Sequence, residues 1–168
     1  MSEISKIRVG ISVGDPNGIG FEIILKTFED KQIFDFFTPI AFANSRNFIE
    51  EKNKLGLATS IFSLKSIKNP NKAQLNVVET WEKPFPVVYG AEQLDAGAHA
   101  VSSLEAAIAA LKKGQIDVLV TAPIHKKNIQ SETFFFPGHT DYLNQKLEGN
   151  SLMFMVTDSL KVALMSDH

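Results

Sequence analysis

Short apolar runs rich in β-branched residues alternate with helical patterns along this chain, and that alternation is what most limits its fold. Residues 7–13 predict a buried strand, residues 20–27 a helix after a glycine-rich turn, and residues 39–43 a second strand. Strands that alternate with helices are typical of an α/β architecture with a largely parallel sheet. We therefore predict the α/β class.

The same alternation continues downstream. Asn44 or Ser45 is placed to cap a helix that ends near Leu55, before Gly56. Further strands are predicted at residues 60–64, 75–80, 118–120, 152–156 and 160–165, the last two joined by a tight turn. Residues 81–90 contain two prolines and predict an extended connection.

Residues 91–113 have the strongest helical pattern in the chain. Six apolar residues recur at steps of three and four, which predicts one buried stripe. They are Leu94, Ala98, Val101, Leu104, Ile108 and Leu111. His99 lies next to this stripe, so a structural role is the favoured interpretation.

Composition narrows the function classes. The 168 residues suffice for one domain, or for one domain and part of another. A net charge of -2 argues against nucleic acid as the main partner. The absence of cysteine excludes disulfides and thiolate chemistry. No apolar run approaches the roughly 18 residues of a membrane span, and the N-terminus lacks a secretory pattern, so we expect a cytoplasmic protein without a membrane partner.

The glycine-rich turn at residues 14–22 lies between a predicted strand and a predicted helix. Its spacing matches neither the dinucleotide-binding fingerprint nor the phosphate-binding loop. Two interpretations stay open: backbone N–H groups that face an anion, or a tight turn that needs glycine for a positive φ. Asp15 and Gly18 are the candidate active-site residues of this turn.

A second candidate segment, residues 121–126, follows a predicted strand, at the edge where open α/β sheets bind ligands. Lys126 is suited to contact a phosphate or carboxylate, and His125 to carry a proton or donate a hydrogen bond. A solvated helix start is the alternative for both residues.

Two histidines stand in loop or strand-end positions. His139 follows a Pro-Gly pair, and Thr140 beside it is expected to cap a short helix. His168 follows an apolar strand, which suits a metal ligand because the strand fixes the imidazole. One histidine is not a metal site, however, and structural roles remain open for both.

Four segments together resemble one family. Residues 14–22 resemble its G-D-P-x-G-I-G-x-E signature, and residues 121–126 its T-x-P-[IV]-[NH]-K segment. Residues 137–140 match its P-G-H-T, and the segment that ends at His168 resembles its V-A-L-x-[TS]-x-H strand. Their order and spacing agree as well, so the chain resembles the 4-hydroxythreonine-4-phosphate dehydrogenase family along essentially its whole length.

The resemblance implies a fold similar to the isocitrate and isopropylmalate dehydrogenases, with two α/β domains and a cleft between them. It further implies a homodimer with the active site at the interface. The expected first domain covers residues 1–124, and residues 125–168 begin a second, incomplete one. The chain is then the N-terminal half of a longer enzyme, and we expect this half alone to be inactive.

The resemblance also implies a reaction. NAD oxidises 4-phosphooxy-L-threonine, and decarboxylation then gives 3-amino-2-oxopropyl phosphate in pyridoxal phosphate biosynthesis. His139 and Thr140 fall on the substrate-contacting pair, and His168 on the first histidine ligand of a divalent metal, which would be zinc, magnesium, manganese or cobalt. Alternatives are a related dehydrogenase for threonate 4-phosphate, and a non-catalytic truncated module for binding or dimerisation.

Two residues depart from the family pattern at the first helix. Phe21 stands where proline is common, and Asn17 stands where alanine is common. Because both lie at the helix start, we expect only local adjustment.

Overall fold

The computed structural model describes residues 6–131 and 134–165. Contacts divide the chain into two compact units, Met1–Phe135 and Phe136–His168. The first compact unit ends at Phe135, and the domain boundary expected at residue 124 stays a prediction. No helix within the described ranges is long and apolar enough to cross a membrane.

Among its described residues, the first unit contains a five-stranded sheet with three α-helices and a short 3₁₀ helix. Its strands are β1 Ile7–Ser12, β2 Phe37–Ala43, β3 Ile61–Leu64, β4 Leu75–Glu79 and β5 Val118–Thr121. Its helices are α1 Gly20–Thr27, α2 Ser45–Leu55 and α3 Leu94–Lys112, and the 3₁₀ helix is Lys31–Asp35. All strand pairs are parallel, so the α/β prediction is confirmed.

The order of the strands locates the functional edge of the sheet. The order is β3-β4-β2-β1-β5, so β1 lies between β2 and β5. The chain leaves β1 for β2 on one side and later reaches β5 on the other. Such a reversal of direction is a topological switch point, and a ligand crevice forms there outside the carboxyl ends of the strands.

Each face of the sheet has its own apolar core, because side chains alternate along β2. Ala41 and Ala43 belong to the cluster that includes Phe21 and Phe48. Ile40 and Phe42 belong to a second cluster with three buried residues, Ala107, Ala110 and Ile116. Both faces of the sheet are therefore covered at its central strand, as expected for a parallel sheet, whereas Val118 and Val120 of the edge strand β5 are 46% and 48% exposed.

The predicted stripe of α3 was partly wrong. Leu104 and Ile108 are buried as expected, but Leu94 is 77% exposed. The buried face consists mainly of small residues: Ala96, Gly97, Ala100, Ser103, Leu104, Ala107, Ile108 and Ala110. The reason is close approach, since a Cβ at Gly97 would lie 1.9 Å from the Asn128 carbonyl oxygen. Large side chains on this face would hold the helix away from its neighbours.

Local signals at α2 and at His99 are confirmed. The Asn44 side chain caps α2 by accepting a hydrogen bond from the Arg46 N–H, and Gly56 ends it with φ 68°. His99 has a structural environment, because its ring centroid lies 4.8 Å from those of Trp81 and Phe85.

The second unit contains α4 His139–Lys146 and an antiparallel hairpin of β6 Met153–Val156 and β7 Lys161–Leu164. The hairpin is confirmed, and the Thr157 N–H donates to the Leu160 carbonyl across its turn. The cap prediction for Thr140 was wrong. Helix α4 begins one residue earlier, at His139, and its N-cap residue is Gly138, with no side-chain cap.

Candidate functional site

Three segments meet at the carboxyl ends of β1 and β5, where the switch point predicts a crevice. The glycine turn, residues 14–18, follows β1, and the lysine turn, residues 122–128, follows β5. The strap, residues 88–93, leads into α3. Two of the candidate segments from the sequence thus lie at this edge. The strap had no sequence signal for function.

The glycine turn packs directly on the end of β5. The Asp15 N–H donates to the Pro123 carbonyl oxygen at 2.9 Å. Gly14 has φ +67°, and a Cβ there would lie 2.1 Å from that same oxygen. Glycine is therefore required at this position for two reasons, its backbone conformation and the close approach of the neighbouring chain.

The hydrogen bonds of the glycine turn favour the tight-turn interpretation over anion binding. The Asn17 N–H donates to Asp15 Oδ1 at 2.9 Å, and the Gly18 N–H donates to the Asp15 carbonyl at 3.0 Å. With the Asp15 N–H bound to Pro123, these three amides are all engaged within the protein. They do not form a free cradle for a phosphate.

Asn17 joins the glycine turn to the strap. Its Oδ1 accepts from the Val88 N–H at 2.8 Å, and its Nδ2 donates to the Ala91 carbonyl at 3.2 Å and to Gln93 Oε1 at 3.0 Å. Its own carbonyl accepts from the Gly90 N–H at 2.9 Å. Its effect therefore goes well beyond the local adjustment expected from the sequence, whose only signal was the departure from alanine.

The lysine turn carries two exposed cations and a histidine. The side chain of Lys126 is exposed. Lys127 Nζ lies 3.0 Å from Glu92 Oε1 of the strap, and its hydrogen bond lowers the pKa of the Glu92 carboxyl. His125 Nδ1 accepts from the Asn128 N–H at 3.2 Å, which leaves the proton of the neutral ring on Nε2.

The predicted substrate pair lies in the second unit. His139 opens α4, with Thr140 next to it in the first turn, and both side chains are partly buried. Burial lowers the pKa of His139 below its ordinary value. The His139 Nε2 atom is buried, and no hydrogen-bond partner for it exists among the described residues. A polar atom in that state gains free energy when a ligand supplies the missing bond.

The predicted metal ligand, His168, lies outside the described residues. Within residues 6–131 and 134–165, no three His, Cys, Asp or Glu side chains gather as a metal site would require. The described residues therefore do not assemble the metal site that the resemblance implies.

The strap has a second anchor, at Tyr89. The Tyr89 hydroxyl donates to Glu51 Oε2, and Lys54 Nζ lies 2.6 Å from Glu51 Oε1. The Glu51 side chain is fully buried. Burial, together with the hydrogen bond to Glu51, raises the pKa of Tyr89 to about 12. The hydroxyl therefore stays protonated and keeps the buried carboxylate bonded.

Tyr89→Phe is expected to lower the free energy of unfolding by about 1 kcal/mol at neutral pH, because a buried carboxylate loses a donor. The pKa of Tyr89 is near 10 in the unfolded chain and about 12 in the folded protein. The protonated hydroxyl therefore stabilises the fold fully below pH 10, and this contribution is lost as the pH rises through about 12. The difference between wild type and variant should thus shrink across that range. Urea unfolding at several pH values measures it, and a constant difference would contradict the assignment.

Comparison with known proteins gives a consistent result. A family model described as pyridoxal phosphate biosynthetic protein PdxA matches residues 35–168, more than half of the chain. The 4-hydroxythreonine-4-phosphate dehydrogenase of Bacteroides thetaiotaomicron is 38% identical over 168 residues, which are 99% of this chain and 46% of that protein. A relative from Cutibacterium acnes, whose name refers to D-threonate 4-phosphate, is 31% identical over 95% of this chain and 48% of its own length. The chain spans about half the length of the curated relatives it matches.

Solved structures agree with the observed fold. A 4-hydroxythreonine-4-phosphate dehydrogenase from Burkholderia phymatum superimposes with a TM-score of 0.85 at 20% identity, over 94% of this chain and 49% of that one. The corresponding protein from Klebsiella pneumoniae gives a TM-score of 0.78 at 22% identity, over 97% and 50%. The α/β fold that the resemblance implied is therefore confirmed.

Proposed function

The chain belongs to the PdxA family of pyridoxal phosphate biosynthetic proteins, and from this premise we propose that the protein carrying it is a 4-hydroxythreonine-4-phosphate dehydrogenase. Its substrate is then 4-phosphooxy-L-threonine, which NAD oxidises and which loses CO2 to give 3-amino-2-oxopropyl phosphate. The family match over residues 35–168 is the observation that carries this proposal. A homodimer, with the active site at its interface, is part of the same proposal.

His139 and Thr140 are proposed to bind and orient the substrate. The lowered pKa of His139 keeps its imidazole neutral near pH 7. A neutral ring whose Nε2 has no partner among the described residues has one hydrogen-bonding atom to offer a polar ligand. The Thr140 hydroxyl, on the adjacent residue, adds a group that both donates and accepts. Fixing the substrate in one orientation contributes much of the rate of such reactions.

Asp15, Gly18 and Lys126 are proposed to form one side of the active-site crevice. The exposed ammonium of Lys126 is suited to a phosphate or carboxylate group. Asp15 and Gly18 have a different part, because their backbone bonds shape the turn that meets the end of β5. In this proposal they set the form of the crevice rather than touch the substrate.

That the protein binds a divalent metal and NAD is proposed from family membership, and not from the residues that the structure describes. His168 would be one ligand of a divalent ion, for which zinc, magnesium, manganese and cobalt all suit histidine and hydroxyl oxygen. The engaged amides of the glycine turn do not fit the pyrophosphate of NAD. Neither group therefore has a described binding site in this chain.

The test is NADH production from 4-phosphooxy-L-threonine, with a divalent metal, by a protein of the relatives' full length. His139→Ala is expected to lower kcat/KM about 10- to 100-fold, as the loss of one hydrogen bond to a charged or polar substrate group would. Gln145→Ala is the matched control, because Gln145 is exposed on the same helix. A wild-type protein that makes no NADH from this substrate would overturn the proposal.

D-threonate 4-phosphate is the second candidate substrate, favoured by the Cutibacterium acnes relative. Comparing kcat/KM for the two substrates decides between them, and turnover of neither would favour a non-catalytic binding module. We expect the 168-residue chain alone, which spans about half of its relatives, to be inactive with both.

A further inference from the structure

The glycine turn, the strap and the lysine turn are joined pairwise into a closed frame. Asn17 links the glycine turn to the strap. Glu92 links the strap to Lys127 of the lysine turn, and the Asp15 N–H links the glycine turn to Pro123. We propose that Asn17 is a positioning residue, which acts through the strap to set the placement of the lysine turn. The relevance of this placement to catalysis rests on the function proposed for Lys126.

Asn17 is suited to this task because every polar group of its side chain is engaged. The residue is 2% exposed, so water does not compete for these groups. One acceptor and two donors hold three strap residues, Val88, Ala91 and Gln93, at once. An apolar side chain at this position would release all three bonds while leaving the backbone of the glycine turn intact.

The strap is linked to the lysine turn through two contacts. Glu92 lies between Ala91 and Gln93, both bonded to Asn17, and its carboxylate pairs with Lys127 at 3.0 Å. An exposed ion pair is weak by itself. The second contact is through α3, which begins directly after Gln93 and brings Gly97 against the backbone of the lysine turn.

The connection of residues 81–90 offers a matched control upstream of the strap, at Phe85. Asn47 is fully buried and also bonds a backbone twice, since its Nδ2 donates to the Phe85 carbonyl and its Oδ1 accepts from the Phe85 N–H. Its bonds hold the connection upstream of the strap, against α2. Asn47→Ala therefore removes the same kind of side chain without touching the frame.

The experiment is amide hydrogen exchange on a protein of the relatives' full length. In Asn17→Ala, exchange at Val88 should be about 10-fold faster or more, and exchange at Asn128 and Ile129 should also be several-fold faster. In Asn47→Ala, exchange at Phe85 should rise while Asn128 and Ile129 keep their wild-type rates. Unchanged exchange at Asn128 and Ile129 in Asn17→Ala, or an equal rise in both variants, overturns the proposal.

A milder variant covers the case in which Asn17→Ala does not fold. Gln93 is exposed, and Gln93→Ala removes only one of the acceptors of Asn17 Nδ2. It should speed exchange in the lysine turn in the same direction, and no change there also overturns the proposal.

Kinetics add a readout that a purely structural role would not move. If the lysine turn is displaced, Asn17→Ala should raise KM for the phosphorylated substrate several-fold more than it lowers kcat in the folded enzyme. Equal loss in both constants argues against positioning. A wild-type protein that turns over no substrate refutes the proposed function alone, because the exchange comparison still decides whether Asn17 positions the lysine turn.

Discussion

Gly14→Ala is expected to destabilise the first unit by more than about 4 kcal/mol, a loss reserved for a few severe mechanisms. Two of them coincide here. The φ of +67° disfavours any residue with a Cβ, at a cost of about 1–2 kcal/mol. The added Cβ would also lie 2.1 Å from the Pro123 carbonyl oxygen, so the glycine turn and the end of β5 would have to separate. That movement would also break the hydrogen bond between Asp15 and Pro123.

Gly56→Ala separates the two causes. Gly56 has nearly the same φ, +68°, but a Cβ added there would meet no atom within 4 Å apart from the adjacent chain. This variant should therefore show only the conformational cost of about 1–2 kcal/mol. Urea unfolding followed by fluorescence measures both, since Trp81 is the sole tryptophan of the sequence and lies in the first unit. Equal losses in the two variants would mean that Pro123 yields easily and that the close approach has little cost.

Much of the fold follows from local patterns. The central strand β2 was predictable because burial on both faces gives an apolar run. Helix α2 was predictable because Asn44 and Gly56 have conformational preferences that mark its ends. The face of α3 was not predictable in the same way. There the controlling quantity is the distance between Gly97 and the Asn128 carbonyl, which involves residues far apart in sequence.

The candidate site likewise has one part that could be predicted from the sequence and one part that could not. Asp15 and Lys126 could be placed at one edge of the sheet, because both follow strands that run in the same direction. The part played by Asn17 could not be predicted, since its partners lie about 70 positions further along the chain. The side chain of an asparagine in a turn can hydrogen-bond with many nearby backbone groups. The sequence does not show which distant backbone groups lack a hydrogen-bond partner and could bind it instead.

Phe21→Ala is expected to lower the free energy of unfolding by about 3–5 kcal/mol, as for other buried phenylalanines. The residue is 1% exposed, and its ring meets that of Phe48 edge-on, with centroids 4.8 Å apart. This contact fastens α1 to α2 directly after the glycine turn. Phe36→Ala is the control, because Phe36 is 74% exposed and its loss should change stability by less than about 0.5 kcal/mol.

The ring of Phe21 also explains how phenylalanine is accommodated where the resemblance led us to expect proline. Proline is tolerated in the first turn of a helix, where it fixes φ without removing an intrahelical hydrogen bond. Phenylalanine fills the space between α1 and α2 instead. Phe21→Pro should therefore destabilise about as much as Phe21→Ala, because both lose the ring and neither breaks the helix. A proline variant as stable as wild type in urea would show that the contact with Phe48 contributes little.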